Sequence, residues 1–311
     1  MPEARIFALV PKYTREVANL SDAIDEIILD PGPGQPGGSA LSLAARLRKE
    51  KFSTVITLFS TIRVGAAVRL AGIPVRLAPA TKLAQVFYNQ RIPQRRSHSI
   101  KPEYEYNSDL VRSFLVAHDR WRDDELVRPL IRIDSKSIKR TRAALGKELG
   151  LPIDLPWVFI HPHSGGSAGN LSIQQYADLG RRLLAEHTVA FVITAGPGEI
   201  EDANRLAQEL SCPYCAVYDS QLGLQRFIEV LATADLFVGG STGPLHLAGA
   251  LDRPTAGFYP RRKTSSPLRW QTLNQPEKRL SFVPPLTADE RDVSSIDVTA
   301  AAAKIGAQFL T

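Results

Sequence analysis

Short apolar runs alternate with amphipathic stretches along most of this chain. Ile6 to Val10, Glu26 to Leu29, Thr54 to Leu58 and Val75 to Leu77 read as strands. Between them, Arg15 to Leu20, Leu41 to Arg48 and Ile62 to Leu70 carry helical spacing. Apolar runs of this length, separated by helical patterns, indicate a parallel sheet with crossover helices. A second alternation begins at Trp157. It predicts strands over Val158 to His161, Val189 to Thr194, Ala216 to Tyr218 and Leu236 to Val238, with helices over Ser172 to Glu186, Glu201 to Leu210, Leu224 to Thr233 and Pro244 to Leu251.

The pattern therefore predicts two Rossmann-like α/β domains in series, 1–150 and 151–290, divided near Gly150 to Pro156. Two domains also suit 311 residues, a length beyond which a single core rarely grows. The last segment, 296–311, reads as an Ala-rich helix that crosses back to pack on the first domain. Thr81 to Pro102 breaks the alternation and reads as a long basic loop, with Lys82, Arg91, Arg95, Arg96 and Lys101 interleaved with Phe87 and Tyr88.

Composition adds little until it is joined to position. A hydrophobic fraction of 44% and a charged fraction of 23% are ordinary for a globular protein. No run approaches the length of a membrane span, and Glu3, Arg5, Lys12, Arg15 and Glu16 break any signal-peptide core, so the expected location is cytoplasmic. A net charge of +6 suits nucleic acid, an anionic membrane surface or a phosphorylated substrate equally. The absence of helix-turn-helix, zinc-finger and RRM signatures argues against nucleic acid. Cys212 and Cys215 form a Cys-Pro-Tyr-Cys that looks redox-active, but it follows a helix instead of preceding one. No helix N-terminus is then available to stabilise a thiolate, and two ordinary loop cysteines are expected.

Chemistry concentrates in three turns of the second half. Gly239-Gly240-Ser241-Thr242-Gly243-Pro244-Leu245-His246 follows an apolar strand and opens a helix, which offers free amides and hydroxyls to a diphosphate. A Gly-rich turn capped by Ser241 would use the same residues. His161-Pro162-His163-Ser164-Gly165-Gly166-Ser167-Ala168 is a second turn where the backbone can approach a ligand closely. The third, Thr194 to Glu199, places a carboxylate where a ribose diol could be held. No Asp-x-Asp pair and no cluster with metal-site spacing occurs, so neither metal nor cofactor is expected. Arg261, Arg262 and Lys263 lie just past the run Pro254 to Tyr259, where they could meet a departing diphosphate or simply be solvated.

These residues resemble the bacterial ADP-heptose:lipopolysaccharide heptosyltransferases, glycosyltransferase family 9. The resemblance rests on Gly240 to Ala248, on Glu229 to Ala232 with Asp235, on Pro254 to Tyr259, on the turn from His161 to Ser167, and on Glu103, Glu105, Tyr106, Asn107 and Leu110. It implies a GT-B fold, two Rossmann-like doubly wound domains facing a cleft. It also implies inverting, metal-independent transfer of heptose from an ADP-sugar to a lipopolysaccharide inner core or related surface glycan, at the inner face of the membrane. Carried onto this chain, Ser241, Thr242 and Gly243 would hold the donor diphosphate with His246 behind them. Ser164, Gly165, Gly166 and Ser167 would approach a phosphate, and Glu199 the ribose. Lys82, Arg91, Arg95, Arg96 and Lys101 would face an anionic lipid-linked acceptor.

Three features depart from the family pattern. The resemblance starts at what looks like the family's second strand, without the first strand and its Gly-Asp motif, so the N-terminal domain is expected to be incomplete and the usual base has no counterpart. Glu103 and Glu105 are the remaining candidates. Gly169 or Asn170 stands near the place of a phosphate-loop lysine, and Ser241 stands where an aspartate often precedes Thr-Gly. The competing expectation is a nucleotide-sugar-binding chain that no longer transfers sugar.

Overall fold

The computed structural model describes residues 3–123, 126–163 and 169–310. They form two compact units, Met1–Glu125 and Leu126–Thr311. The division falls earlier than the 150–156 boundary expected from the sequence. The reason is the helix Ser135–Leu149, which packs within the second unit: Arg142 on this helix donates to the carbonyls of Ile153, Leu155 and Thr233, and its guanidinium stacks 4.4 Å from the Trp157 ring centroid.

In the first unit the chain runs β1 (Phe7–Pro11), α1 (Arg15–Ala18), β2 (Glu26–Asp30), α2 (Ala40–Lys49), β3 (Thr54–Ile56), α3 (Ile62–Leu70), β4 (Val75–Pro79), β5 (Gln90–Ile92) and α4 (Glu103–Val116). Ser39 and Thr61 cap α2 and α3 by accepting the backbone N–H three residues on, which fixes where each helix starts. Leu43, Leu47, Ala67 and Val68 bury the inner faces of α2 and α3 against Leu9, Ile28 and Val55. Leu110 and Phe114 of α4 cover Leu77 with Ile56 and Ile92. Every strand pair is parallel, as expected, but the strands form two sheets, β1–β2 and β3–β4–β5. Among the described residues β1 and β3 each keep one unpaired edge, and β1, β2 and β3 are only partly buried.

The segment read as a basic loop is ordered by short elements. It holds a 3-10 turn over Leu83–Phe87, the strand β5, with Gln90 opposite Leu77, and a second 3-10 turn over Arg96–His98. Three residues of β5, Gln90, Arg91 and Ile92, hold only one apolar side chain, too little to signal a strand before its partner is known.

In the second unit α5 (Ser135–Leu149) leads into β6 (Trp157–His161), α6 (Ile173–Glu186), β7 (Ala190–Ala195), α7 (Ile200–Leu210), β8 (Cys215–Asp219), α8 (Gly223–Leu231), β9 (Leu236–Gly240), α9 (Gly243–Ala250), β10 (Thr255–Phe258), β11 (Arg279–Phe282) and α10 (Val298–Phe309). The six strands are all parallel, in the order β11-β10-β9-β6-β7-β8. All residues of β6, β7, β9 and β10 are buried, which is why these strands read as continuous apolar runs.

The order reverses between β6 and β9, so the chain diverges to opposite sides beyond their carboxyl ends and leaves a crevice there. At the opposite ends, Asp235 accepts the Trp157 N–H at 2.8 Å and pairs with Arg142 at 2.9 Å, which locks the register of the two strands. The C-terminal helix α10 buries Ala301, Ala302 and Ile305 in this unit's core, packed on α6, where a return to the first domain was expected. Both cysteines are free, and burial beside Cys212 pushes the Cys215 thiol up to about 12, the reverse of a reactive thiolate.

Candidate functional site

The crevice beyond β6 and β9 collects most of the described turn residues singled out in the sequence. Pairing of His161 with Gly239 brings the two turns side by side. Asn170 then ties them. Its amide donates to the Pro162 carbonyl at 2.8 Å, while its Oδ1 accepts the Leu171 N–H at 3.0 Å and the Tyr176 hydroxyl at 2.6 Å. A Cβ on Gly240 would come within 2.6 Å of the same Oδ1, so glycine is needed for β9 to lie this close. Sequence reading passed Asn170 over as a neutral residue near the place of a lysine, and did not single out Tyr176. The available signal was the buried tyrosine, whose hydroxyl requires a partner.

Glu199 stands at the N-terminus of α7 and folds back. Its Oε2 accepts the Gly196 N–H at 2.7 Å and lies 3.7 Å from His161 Nε2, and its Oε1 lies 3.6 Å from His163 Nε2. His163 Nδ1 is 3.6 Å from Asp202. Burial pushes the His161 imidazole below its ordinary value, against the opposing pull of Glu199 and the Thr194 carbonyl. The result is a carboxylate held by an amide and flanked by two imidazoles at the carboxyl ends of β6 and β7. Neither His163 nor Asp202 was expected to take part, because nothing in their spacing shows that they meet.

At the turn between β9 and α9 the helix start lacks a side-chain cap. Thr242 is the N-terminal flanking residue of α9, with extended backbone, yet its side chain caps no amide. Its Oγ1 is buried and has no hydrogen-bond partner among the described residues. Ser39, Thr61, Asp134, Ser172 and Asp297 each cap their own helices through the side chain, whereas Thr242, like Thr14 before α1, does not. A Cβ on Gly243 would meet nothing within 4 Å, so the space over the helix start is open. The amides of α9, the Thr242 hydroxyl and the neighbouring Ser241 are groups that can donate to an anion. His246 lies one turn further on, edge-on to Trp270 at 6.4 Å between centroids, and desolvation holds it below its ordinary value.

Other expected residues fall elsewhere. Ser164, Gly165, Gly166 and Ser167 lie outside the described residues. Arg261 donates to the carbonyls of Pro284, Pro285 and Ala288 and so anchors a loop, while Arg262 and Lys263 are exposed. In the first unit, Arg96 pairs with Glu103 at 2.5 Å and Lys101 pairs with Asp109. These two cations of the expected acceptor set, and one of the two candidate bases, therefore serve the local structure of α4. Glu105 lies in the first turn of the same helix. Lys82, Arg91 and Arg95 have no carboxylate partner among the described residues.

Comparison with known proteins matches residues 40–291 to the model of glycosyltransferase family 9 (heptosyltransferase). The chain belongs to glycosyltransferase family 9. Within the curated proteins, one from Haemophilus influenzae named "Putative glycosyltransferase" is 43% identical over 284 residues, which is 91% of this chain and 82% of that protein. The fold is that of solved GT-B members of the family. Escherichia coli ADP-heptose lps heptosyltransferase II superposes with a TM-score of 0.77 at 17% identity, over 100% of this chain and 91% of that one. A family 9 glycosyl transferase from Veillonella parvula gives 0.78 at 15%, over 99% and 89%. The E. coli heptosyltransferase WaaC with ADP gives 0.72 at 18%, over 99% and 91%.

Proposed function

We propose that this family 9 chain transfers heptose or a related sugar from an ADP-sugar to a lipopolysaccharide inner core or related surface glycan, with inversion and without a metal. The observation that carries the reading is the uncapped start of α9 at the reversal point of a parallel sheet, where the buried Thr242 hydroxyl has no hydrogen-bond partner among the described residues. An anion with several acceptor oxygens satisfies that hydroxyl and the helix amides together. The E. coli heptosyltransferase WaaC, solved with ADP, supports adenosine diphosphate as the anion.

The chemistry follows from charge. When an acceptor hydroxyl displaces the diphosphate from the sugar's anomeric carbon in one step, configuration inverts and negative charge grows on the departing phosphate. Oriented amides and hydroxyls at α9 stabilise that charge without reorganising. Glu199, fixed by the Gly196 N–H and two imidazoles, is placed to accept from a ribose diol. The acceptor hydroxyl needs a base. Glu105 suits this role better than Glu103, whose carboxylate is engaged by Arg96.

Calorimetry of the whole protein with ADP, UDP and GDP tests the reading. ADP is expected to bind tightest, and Thr242→Val to weaken it about tenfold, the loss of roughly one hydrogen bond to a charged group. Failure of every nucleotide to bind, or ADP binding indifferent to Thr242→Val, would overturn it.

A further inference from the structure

Beyond the carboxyl ends of β3 and β4, the first unit has a cavity of about 430 Å³ lined by Phe59, Ser60, Thr61, Ile62, Lys82, Leu83 and Ala84. Its rim is apolar and turned to solvent. Phe59 is 69% exposed, Leu83 77%, Val86 66% and Ile62 59%, and three of these four, Phe59, Ile62 and Leu83, line the cavity itself. The ammonium of Lys82 sits 4.5 Å from the Phe59 ring centroid. Lys82 reaches that position with φ +57 and ψ 174, a backbone region that a lysine enters only at a cost in strain. The turn carrying Leu83 and Val86 is not loose, since Phe87 packs against Gly65 of α3.

The charge of this region points to what covers it. From Lys51 to Pro102 the sequence holds nine basic residues, Lys51, Arg63, Arg69, Arg76, Lys82, Arg91, Arg95, Arg96 and Lys101, and no Asp or Glu. Arg63, Arg96 and Lys101 reach carboxylates outside the segment. Arg91 and Arg95 are exposed on and just after β5, the neighbour of β4. An exposed apolar rim with a cation held over its aromatic ring, inside a stretch of one charge sign, matches an anionic bilayer surface. Apolar side chains enter the acyl boundary while the cations remain among the headgroups.

We propose that Phe59, Ile62, Leu83 and Val86, with Lys82, Arg91 and Arg95, form a docking surface for an anionic lipid bilayer. It deepens the reading of a lipid-linked acceptor by naming the face that meets the membrane, and it leaves the nucleotide site of the second unit untouched. Separate outcomes therefore follow: ADP calorimetry reports on the function, and vesicle binding reports on this surface.

The test is co-sedimentation of the whole protein with phosphatidylglycerol vesicles and with phosphatidylcholine vesicles, at low and high salt. Binding to phosphatidylglycerol is expected at low salt, weakening as salt rises. Phe59→Ser with Leu83→Ser is expected to cost about tenfold or more, because two apolar groups no longer insert. Lys82→Gln, Arg91→Gln and Arg95→Gln together are expected to cost roughly a hundredfold at low salt and to flatten the salt dependence. Because these side chains are exposed, melting temperature and ADP affinity should stay unchanged in both variants. No binding to phosphatidylglycerol at low salt, equal binding to both lipids, or binding indifferent to the Phe59 and Leu83 changes would each overturn the proposal. So would self-association without vesicles that the double variant abolishes, which would assign the surface to a second copy of the chain.

Discussion

The Tyr176 hydroxyl, fully buried on α6, donates to Asn170 Oδ1 at 2.6 Å, and the Gly240 amide is directed at the same hydroxyl. One phenol thereby joins the segment after β6 to the end of β9, the two strands between which the sheet order reverses. Burial raises the phenol's pKa well above its ordinary value, so it stays protonated and remains a donor. Asn170→Ala leaves that hydroxyl unsatisfied and releases the Pro162 carbonyl. A loss of about 1–3 kcal/mol is expected by urea denaturation, together with weaker ADP binding. Tyr176→Phe removes the donor as well and should cost less than Asn170→Ala. Equal costs would show that the asparagine acts alone.

Thr242 separates binding from stability. Its hydroxyl has no partner among the described residues, so Thr242→Val replaces an unsatisfied buried oxygen by a methyl group of similar size. Unfolding midpoints are expected to stay level or rise while ADP affinity falls. A residue that merely capped α9 would do the opposite, losing about 1 kcal/mol of stability on substitution.

The two glycines of the same turn should behave differently. Gly243 faces open space, so Gly243→Val is expected to fold with a stability change below about 1 kcal/mol, and to obstruct nucleotide binding by filling the space over the amides. Gly240 faces Asn170 Oδ1 at 2.6 Å from an added Cβ. Gly240→Ala must displace Asn170 and should lose about 1–3 kcal/mol. Thermal melts of the two variants, read beside calorimetry, decide it.

His246 gives stability a pH dependence with a defined sign. Desolvation lowers its pKa in the folded protein below the 6.5 of the unfolded chain, so the unfolded state binds more protons as pH falls. The neutral ring's contribution is complete above about 6.5 and is lost progressively below it. His246→Phe keeps a ring beside Trp270 without the titration. Its stability relative to the parent should improve by about 1 kcal/mol between about pH 7.5 and pH 5.5. A pH-independent difference would show that the ring does not titrate in this range.

The unpaired edges of β1 and β3 predict uneven hydrogen exchange. Strands β6, β7 and β9 are flanked on both sides and fully buried, whereas β1 and β3 each have one free edge and partial exposure. Amides on those free edges should exchange orders of magnitude faster than those of β6. Protection in β1 equal to that in β6 would mean that the edge is covered in solution.

What the sequence determined by itself was periodic or local. Continuous apolar runs marked β6, β7 and β9 because a strand covered on both faces has no polar side, and Gly-Ser-Thr-Gly-Pro after such a run marked a strand-to-helix turn. The family followed from that turn and its surroundings. Long-range relations were decided only by the tertiary structure. Gln90 to Ile92 become a strand only beside β4, and α5 joins the second unit because Arg142 finds three carbonyls and the Trp157 ring there. Arg96 and Lys101 looked available for a ligand until α4 placed Glu103 and Asp109 against them. A threonine before a helix reads as a cap in any sequence, and that the Thr242 hydroxyl has no partner among the described residues is visible only in the folded chain. Composition and spacing record which groups a chain carries, but packing decides which of them are satisfied internally and which are left for a ligand.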